Sequence, residues 1–205
     1  MKRFVDIVIA SIAILFLSPV FLFVAYKVRK HLGSPIFFCQ ERPGKDGKIF
    51  KMIKFRSMKN ALDPQGNLLP DEQRITPFGQ KLRATTLDEM PQLFNVLKGD
   101  MSIVGPRPQM PEFLEYYTTD QMRRHEVKPG MTGLAQVSGR NNLSWEEKFN
   151  LDVQYVENHN ILLDFKIMLK TVDVMLKREG INAPNQTVGS SRFTGSESQS
   201  SSTLK

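Results

Sequence analysis

The chain has 205 residues, 28 basic against 21 acidic, a net charge of +7 and a single cysteine, Cys39. One cysteine excludes a disulfide scaffold, and a mean hydropathy of −0.29 excludes a protein of many membrane spans. The charge excess is uneven: residues 1–31 hold Lys2, Arg3, Lys27, Arg29 and Lys30 against Asp6 alone, whereas a nucleic-acid binder carries its basic surface on the folded body.

The first element is apolar. Ile7 to Tyr26 runs 20 residues without a charge, long enough as a helix of about 30 Å to cross a bilayer. A signal peptide would end in a small-residue cleavage site, and here a basic run follows instead. Two arrangements remain open on the residues alone. One is a single spanning helix kinked by proline. The other is a re-entrant hairpin, favoured by basic residues on both flanks, which pull both ends to one side. Ser18-Pro19 near the middle favours it too, because Pro19 cannot donate to the carbonyl of Leu15. The Ser18 hydroxyl can bond back to a carbonyl one turn earlier.

Ile36–Gln40 and Ile49–Phe55 read as a β-hairpin around a Gly-containing loop. Residues 61–73 are polar and broken by Pro64, Gly66 and Pro70, hence a surface loop. A short helix is expected over Phe78–Arg83, and another over Asp88–Lys98, stopped by Gly99. Gly105-Pro106-Arg107-Pro108 is irregular. A helix is expected over Pro111–Glu126 and an extended segment over Thr132–Val137. Amphipathic helices follow at Trp145–Asn158 and Leu162–Arg178. In the second, Leu162, Phe165, Met168, Leu169, Val172, Met175 and Leu176 share one face. The Ser-rich tail 184–205 is expected to be disordered, leaving a folded body of residues 32–183.

His31, His125 and His159 lack the spacing of a zinc site, and no Gly-rich phosphate loop occurs. Attention therefore falls on carboxylates and arginines. Asp88-Glu89 opens a helix, where free N–H groups favour anions. Either Asp88 is a helix N-cap or Thr86 and Glu89 form a capping box. A carboxylate so placed also serves as a nucleophile or metal ligand. Arg83 lies just upstream, and Arg107 and Arg140 sit in Gly/Pro-shaped loops suited to bidentate phosphate recognition.

Four motifs carry a resemblance: Ser18-Pro19, FCQERPGKDGKIFKMIKFRSM from Phe38, LDEMPQLFNVLKGDMSIVGPRP from Leu87, and KPGMTGLAQVSGR from Lys128. From about Lys2 to about Gly180 the chain resembles the bacterial sugar transferases, specifically the small monotopic polyprenol-phosphate phosphoglycosyl transferases that initiate protein glycosylation. The resemblance implies a mainly helical α+β fold. Residues 1–31 would form a re-entrant membrane helix-break-helix, and 32–183 a catalytic domain with a β-hairpin and amphipathic interfacial helices. Lys166, Lys170 and Lys177 lie near the apolar face of the last helix.

The resemblance also implies transfer of a phosphosugar from a UDP-sugar, N-acetylated or diacetamido, to polyprenol phosphate, with release of UMP. Asp88 would be the nucleophile that forms a phosphosugar-aspartyl intermediate. Glu89 would hold metal or accept a proton, and Mg²⁺ would bridge the dyad and the diphosphate. Arg83, Arg107, Arg140 and Lys54 would bind phosphate or nucleotide. The implied location is the cytoplasmic face of the bacterial inner membrane, in contact with membrane lipid and with no nucleic acid, and a homo-oligomer is left open. The rival functions are a glycosyl transferase that releases UDP and a non-catalytic membrane-anchored adaptor.

Overall fold

The computed structural model describes residues 1–139, 142–177, 193 and 195. The chain begins with a 31-residue helix, α1 (Lys2–Leu32). It is helical through Ser18-Pro19, where a break was expected. The Ser18 hydroxyl donates to the Leu15 carbonyl at 2.8 Å, and that is the carbonyl Pro19 leaves without an N–H partner. The side chain thus repairs the bond the ring removes, and no change of backbone conformation is needed.

One side of α1 lies on the rest of the molecule. Ala10, with Ala13 and Ile14 beside it, packs on Met52, Leu93, Val96 and Met101. Val24 and Val28, with Phe21, Ala25 and Leu32, pack on Phe55, Leu82 and Met90. On the opposite side of the helix Leu15, Phe16, Leu22 and Phe23 stand exposed.

Polar contacts fix the amino-terminal end. The Asp6 carboxylate is buried and accepts from the Ser102 hydroxyl at 2.9 Å and the Ile103 N–H at 3.0 Å. Lys2 Nζ donates to Asp164 at 2.6 Å and to the Val104 carbonyl at 3.1 Å. Arg3 donates to the carbonyls of Val96 and Leu97, the last turn of a helix, where a cation is favoured.

The expected hairpin is present and longer than its apolar runs. β1 (Phe37–Pro43) pairs antiparallel with β2 (Ile49–Phe55), from Phe37↔Phe55 to Pro43↔Ile49. After the loop come α2 (Asp71–Arg74), α3 (Pro77–Ala84) and α4 (Gln92–Lys98). Pro77 opens α3, where its missing N–H is harmless, and Gly99 ends α4 at φ 100°, as a left-handed C-terminal residue should.

The sequence did not signal a second, parallel pair, β3 (Ser102–Val104) with β4 (Gly130–Thr132). Its crossing point demands glycine: a Cβ on Gly130 would fall 2.1 Å from the Gly105 nitrogen, and one on Gly105 would fall 2.4 Å from the Lys128 carbonyl oxygen.

Two expectations for this stretch are corrected. Pro111–Glu126 is not one helix. It is a 3-10 turn (Pro111–Glu115), then α5 (Thr119–Met122), then a second 3-10 turn at Arg123–His125. Thr118 restarts the chain with its own capping box, and Arg124 is drawn into a buried ion pair. Thr132–Val137 is not extended throughout, because α6 (Leu134–Ser138) begins directly after Gly133.

α7 (Trp145–Asn158) has the capping box Ser144/Glu147. α8 (Ile161–Lys177) turns Ile167 and Asp164 inward. The apolar face expected on it is turned outward, with Leu162, Phe165, Leu169 and Val172 exposed. The Ser-rich tail lies outside the described residues except Phe193 and Gly195. Phe193 is not loose: it is 3% exposed among Phe113, Tyr117, Trp145 and Phe149, with ring centroids 5.0 Å apart at Phe149.

Candidate active site

Asp88 and Glu89 are held by an unusual turn. α3 ends at Thr85, and Thr86 takes a left-handed conformation (φ 55°, ψ 11°) before a 3-10 turn at Leu87–Glu89. A β-branched residue rarely adopts that conformation, and such strain gathers at functional sites. Neither expected cap forms. The Thr86 hydroxyl donates back to the Thr85 carbonyl at 2.7 Å, Asp88 lies inside the 3-10 turn, and Pro91 occupies the N-cap position of α4.

Asn95 on α4 then binds this segment to the hairpin. It accepts from the Ile53 N–H at 2.9 Å and donates to the Lys51 carbonyl at 2.8 Å. That clamp on β2 fixes the strand beside Lys54, whose ammonium reaches the dyad.

The two adjacent carboxylates have opposite surroundings. Glu89 is fully engaged. Its Oε1 meets Lys54 Nζ at 2.9 Å and Arg107 Nη2 at 2.7 Å, and its Oε2 accepts from Arg107 Nη1 at 3.3 Å. Burial pushes its pKa up, but Arg107 and Lys54 outweigh burial and hold it well below the usual carboxylate range. Asp88 is only 8% exposed, and no side chain among the described residues donates to it. Burial and the neighbouring Glu89 charge push its carboxyl up to about 6, against the pull of Lys54, Arg83 and Arg107. One carboxylate is therefore committed to cations, and the other is buried, ionisable near neutrality and free.

Arg107 is aimed by a second cluster. Arg124 is 2% exposed. Its Nη2 donates to the Arg107 carbonyl at 2.7 Å and to Asp152 Oδ2 at 2.6 Å, and its Nη1 donates to the Tyr117 hydroxyl at 2.7 Å. Next to it His125 bonds through Nδ1 to the Gly44 carbonyl at 3.0 Å. Burial and Arg124 lower its pKa to about 4, so it stays neutral.

Among the described residues no group of three or more His, Cys, Asp or Glu side chains suits a metal ion. At this site Asp88 and Glu89 offer carboxylate oxygens. Mg²⁺ takes one or two carboxylates and completes its shell with phosphate oxygens and water. Asp88 fits that donor set as it stands. Glu89 fits it only by loosening from Arg107 or Lys54.

The bacterial sugar transferase family matches residues 1–178. The chain belongs to that family. Among its relatives, an uncharacterized sugar transferase EpsL of Bacillus subtilis (strain 168) is 51% identical over 98% of this chain and 99% of its own length. The undecaprenyl-phosphate galactose phosphotransferase of Salmonella typhimurium is 42% identical over 88% of this chain and 41% of its own. The UDP-glucose:undecaprenyl-phosphate glucose-1-phosphate transferase of Klebsiella pneumoniae is 40% identical over 83% and 39%. The chain thus spans the first relative almost completely and about two fifths of the other two.

In this sugar transferase the structure brings together Lys54, Asp88, Glu89 and Arg107, with Arg83 close enough to stabilise the Asp88 anion. Arg83 is oriented by Ser57, whose hydroxyl accepts from its Nε at 2.9 Å. Arg140 lies outside the described residues. Sequence reasoning missed Arg42, Arg124 and Asp152. Arg42 stands inside a motif quoted above, whereas nothing local marks Arg124 and Asp152, which meet only in the folded chain.

Proposed function

We propose that this sugar transferase moves a phosphosugar from a UDP-sugar to a polyprenol phosphate through a covalent intermediate on Asp88. The observation that carries the reading is the pairing of a buried, unengaged carboxylate with a neighbour saturated by cations. A nucleophile must be ionised and free, and Asp88 ionises near pH 6 without a donor to blunt it. Lys54, Arg83 and Arg107 surround it with positive charge, which suits a diphosphate.

In the first step an Asp88 oxygen bonds to the sugar-bearing phosphorus, the bond to the nucleotide breaks, and UMP leaves with the electron pair. In the second a polyprenol phosphate oxygen attacks the same phosphorus, and the bond to Asp88 breaks. Asp88, and Glu89 on loosening from Arg107 or Lys54, would hold Mg²⁺, which would supply positive charge to the phosphates. The names of the Salmonella and Klebsiella relatives support the lipid acceptor, and the Klebsiella name, a glucose-1-phosphate transfer from UDP-glucose, supports a UDP-sugar donor and UMP as the other product. Initiation of protein glycosylation, which the resemblance implied, has no counterpart in those names. The reading adopted is the first membrane step of glycoconjugate assembly.

The proposal keeps both ends of α1 on the cytoplasmic face, so that the helix, unbroken at Pro19, dips into the membrane from that face rather than crossing it. Both ends of α1 dock on one body, which supports this, as do the basic flanks. The exposed row Leu162, Phe165, Leu169 and Val172 on α8 suits the interface.

The test is a nucleotide assay on the full chain in membranes with a UDP-sugar and a short polyprenol phosphate. UMP release that stops with EDTA is expected. Release of UDP would make it a glycosyl transferase, and no release with an unaffected Asp88→Ala variant would make it an adaptor.

A further inference from the structure

Arg42 lies one residue before the end of β1, opposite Phe50. Its Nη2 donates to Gln40 Oε1 at 2.8 Å, and its Nε is buried without an acceptor among the described residues. No ion pair among the described residues includes it. The strand end is held against the turn that carries Arg107: Gln40 Nε2 lies 3.5 Å from Met110 Sδ, and Pro43 and Arg107 line the same small cavity. Burial and the neighbouring Arg107 lower the Arg42 pKa to about 10, against the weaker pull of Glu112 and Glu89. Glu89 is already taken by Lys54 and Arg107. A half-desolvated guanidinium beside a second one, with no carboxylate of its own, is an unfavourable arrangement that an incoming anion would relieve. The planar fork suits a phosphate.

Chemistry then identifies the anion. If Asp88 is the nucleophile, the bond broken in the first step and the bond formed in the second both lie opposite Asp88 on the same phosphorus. The departing nucleotide phosphate and the arriving lipid phosphate therefore need the same place in turn. We propose that Arg42, with Arg107, forms a phosphomonoester subsite used alternately by UMP and by polyprenol phosphate. The inference rests on the phosphosugar-transfer reading for the identity of its two ligands.

The test uses the full chain in detergent or nanodiscs with Arg42→Gln and Arg42→Lys. UMP affinity is measured by calorimetry without turnover, and the KM for a short polyprenol phosphate by UMP release. Arg42→Gln is expected to weaken both by about 10- to 100-fold, the loss of one charge-assisted contact, with the thermal midpoint little changed. Arg42→Lys keeps the charge without the fork. It should show a smaller loss of both, and it serves as the test should the glutamine variant not fold. UMP affinity within twofold of wild type, or a loss confined to one ligand, overturns the shared subsite. UDP release by the wild type would instead overturn the transfer reading, while the calorimetry still reports how Arg42 grips a phosphate.

Discussion

Two clusters of charge, one around the dyad and partly open to solvent and one buried around Arg124, touch each other through Arg107 and are built on opposite plans. Around the dyad, Lys54, Arg83, Arg107 and Arg42 gather about two carboxylates, one of which has no partner. Around Arg124 the accounts balance: one guanidinium, one carboxylate and a tyrosine hydroxyl, sealed among the aromatic rings of Tyr117 and Phe149. The first cluster has more cations than carboxylates and is incomplete without an anionic ligand, whereas the second pairs one guanidinium with one carboxylate as folded, with Asp152 Oδ1 buried and without a donor among the described residues. Buried charge alone does not mark an active site. The mark is a surplus of charge that the protein itself does not neutralise.

That contrast can be broken by substitution. Asp88→Asn is expected to lower transfer by roughly 10⁴-fold or more, the scale for loss of a nucleophile, and to leave no phosphosugar adduct on the protein by mass spectrometry. An adduct on the Asn variant would remove Asp88 from its role. Asp152→Ala should do the reverse. It leaves Arg124 buried and unpaired, a loss of about 3–5 kcal/mol of stability visible in denaturant unfolding, and folded enzyme that remains should still transfer.

The pH dependence sharpens the comparison further. Because Asp88 must be ionised, kcat/KM for the UDP-sugar should fall about tenfold per unit below pH 6. Its folded pKa lies above its ordinary value, so the ionised form destabilises the fold above pH 6 and that penalty vanishes below about pH 4. Asp88→Asn should accordingly be more stable than wild type at pH 8, by on the order of 2 kcal/mol, and no more stable at pH 4. A difference that persists at pH 4 would have another origin. The smallest effect belongs to Ser18→Ala, which strips the Leu15 carbonyl of its donor at the cost of about 1 kcal/mol, measured as a lowered thermal midpoint in nanodiscs.

What was legible in the sequence had a local cause. The hairpin, the helix stop at Gly99, the bounds of α7 and the apolar run of α1 follow from neighbouring residues. So did the dyad and Arg107, because rigid Gly/Pro loops and a carboxylate pair are visible as strings. The rest depended on distance in the chain. The pairing of β3 with β4 joins Ser102 to Gly130, and Arg124 meets its carboxylate 28 residues on. The cap expected at Asp88 failed because Thr86 turns left-handed, a tertiary choice that propensity argues against. The break expected at Pro19 was half right. The lost bond was foreseen, and so was the Ser18 hydroxyl that replaces it, but not that the replacement keeps the helix whole.

The lock on the amino-terminal end of α1 has a consequence for synthesis. Lys2 closes on Asp164, a partner 162 positions later in the chain. The greasy helix leaves the ribosome before any of its partners, and this anchor is made long after it. Until the partners at Met52–Met101 emerge, α1 must find shelter elsewhere, and the bilayer is the nearest solvent that accepts it. On this order of events the membrane acts first as a folding partner and only afterwards as the place of work.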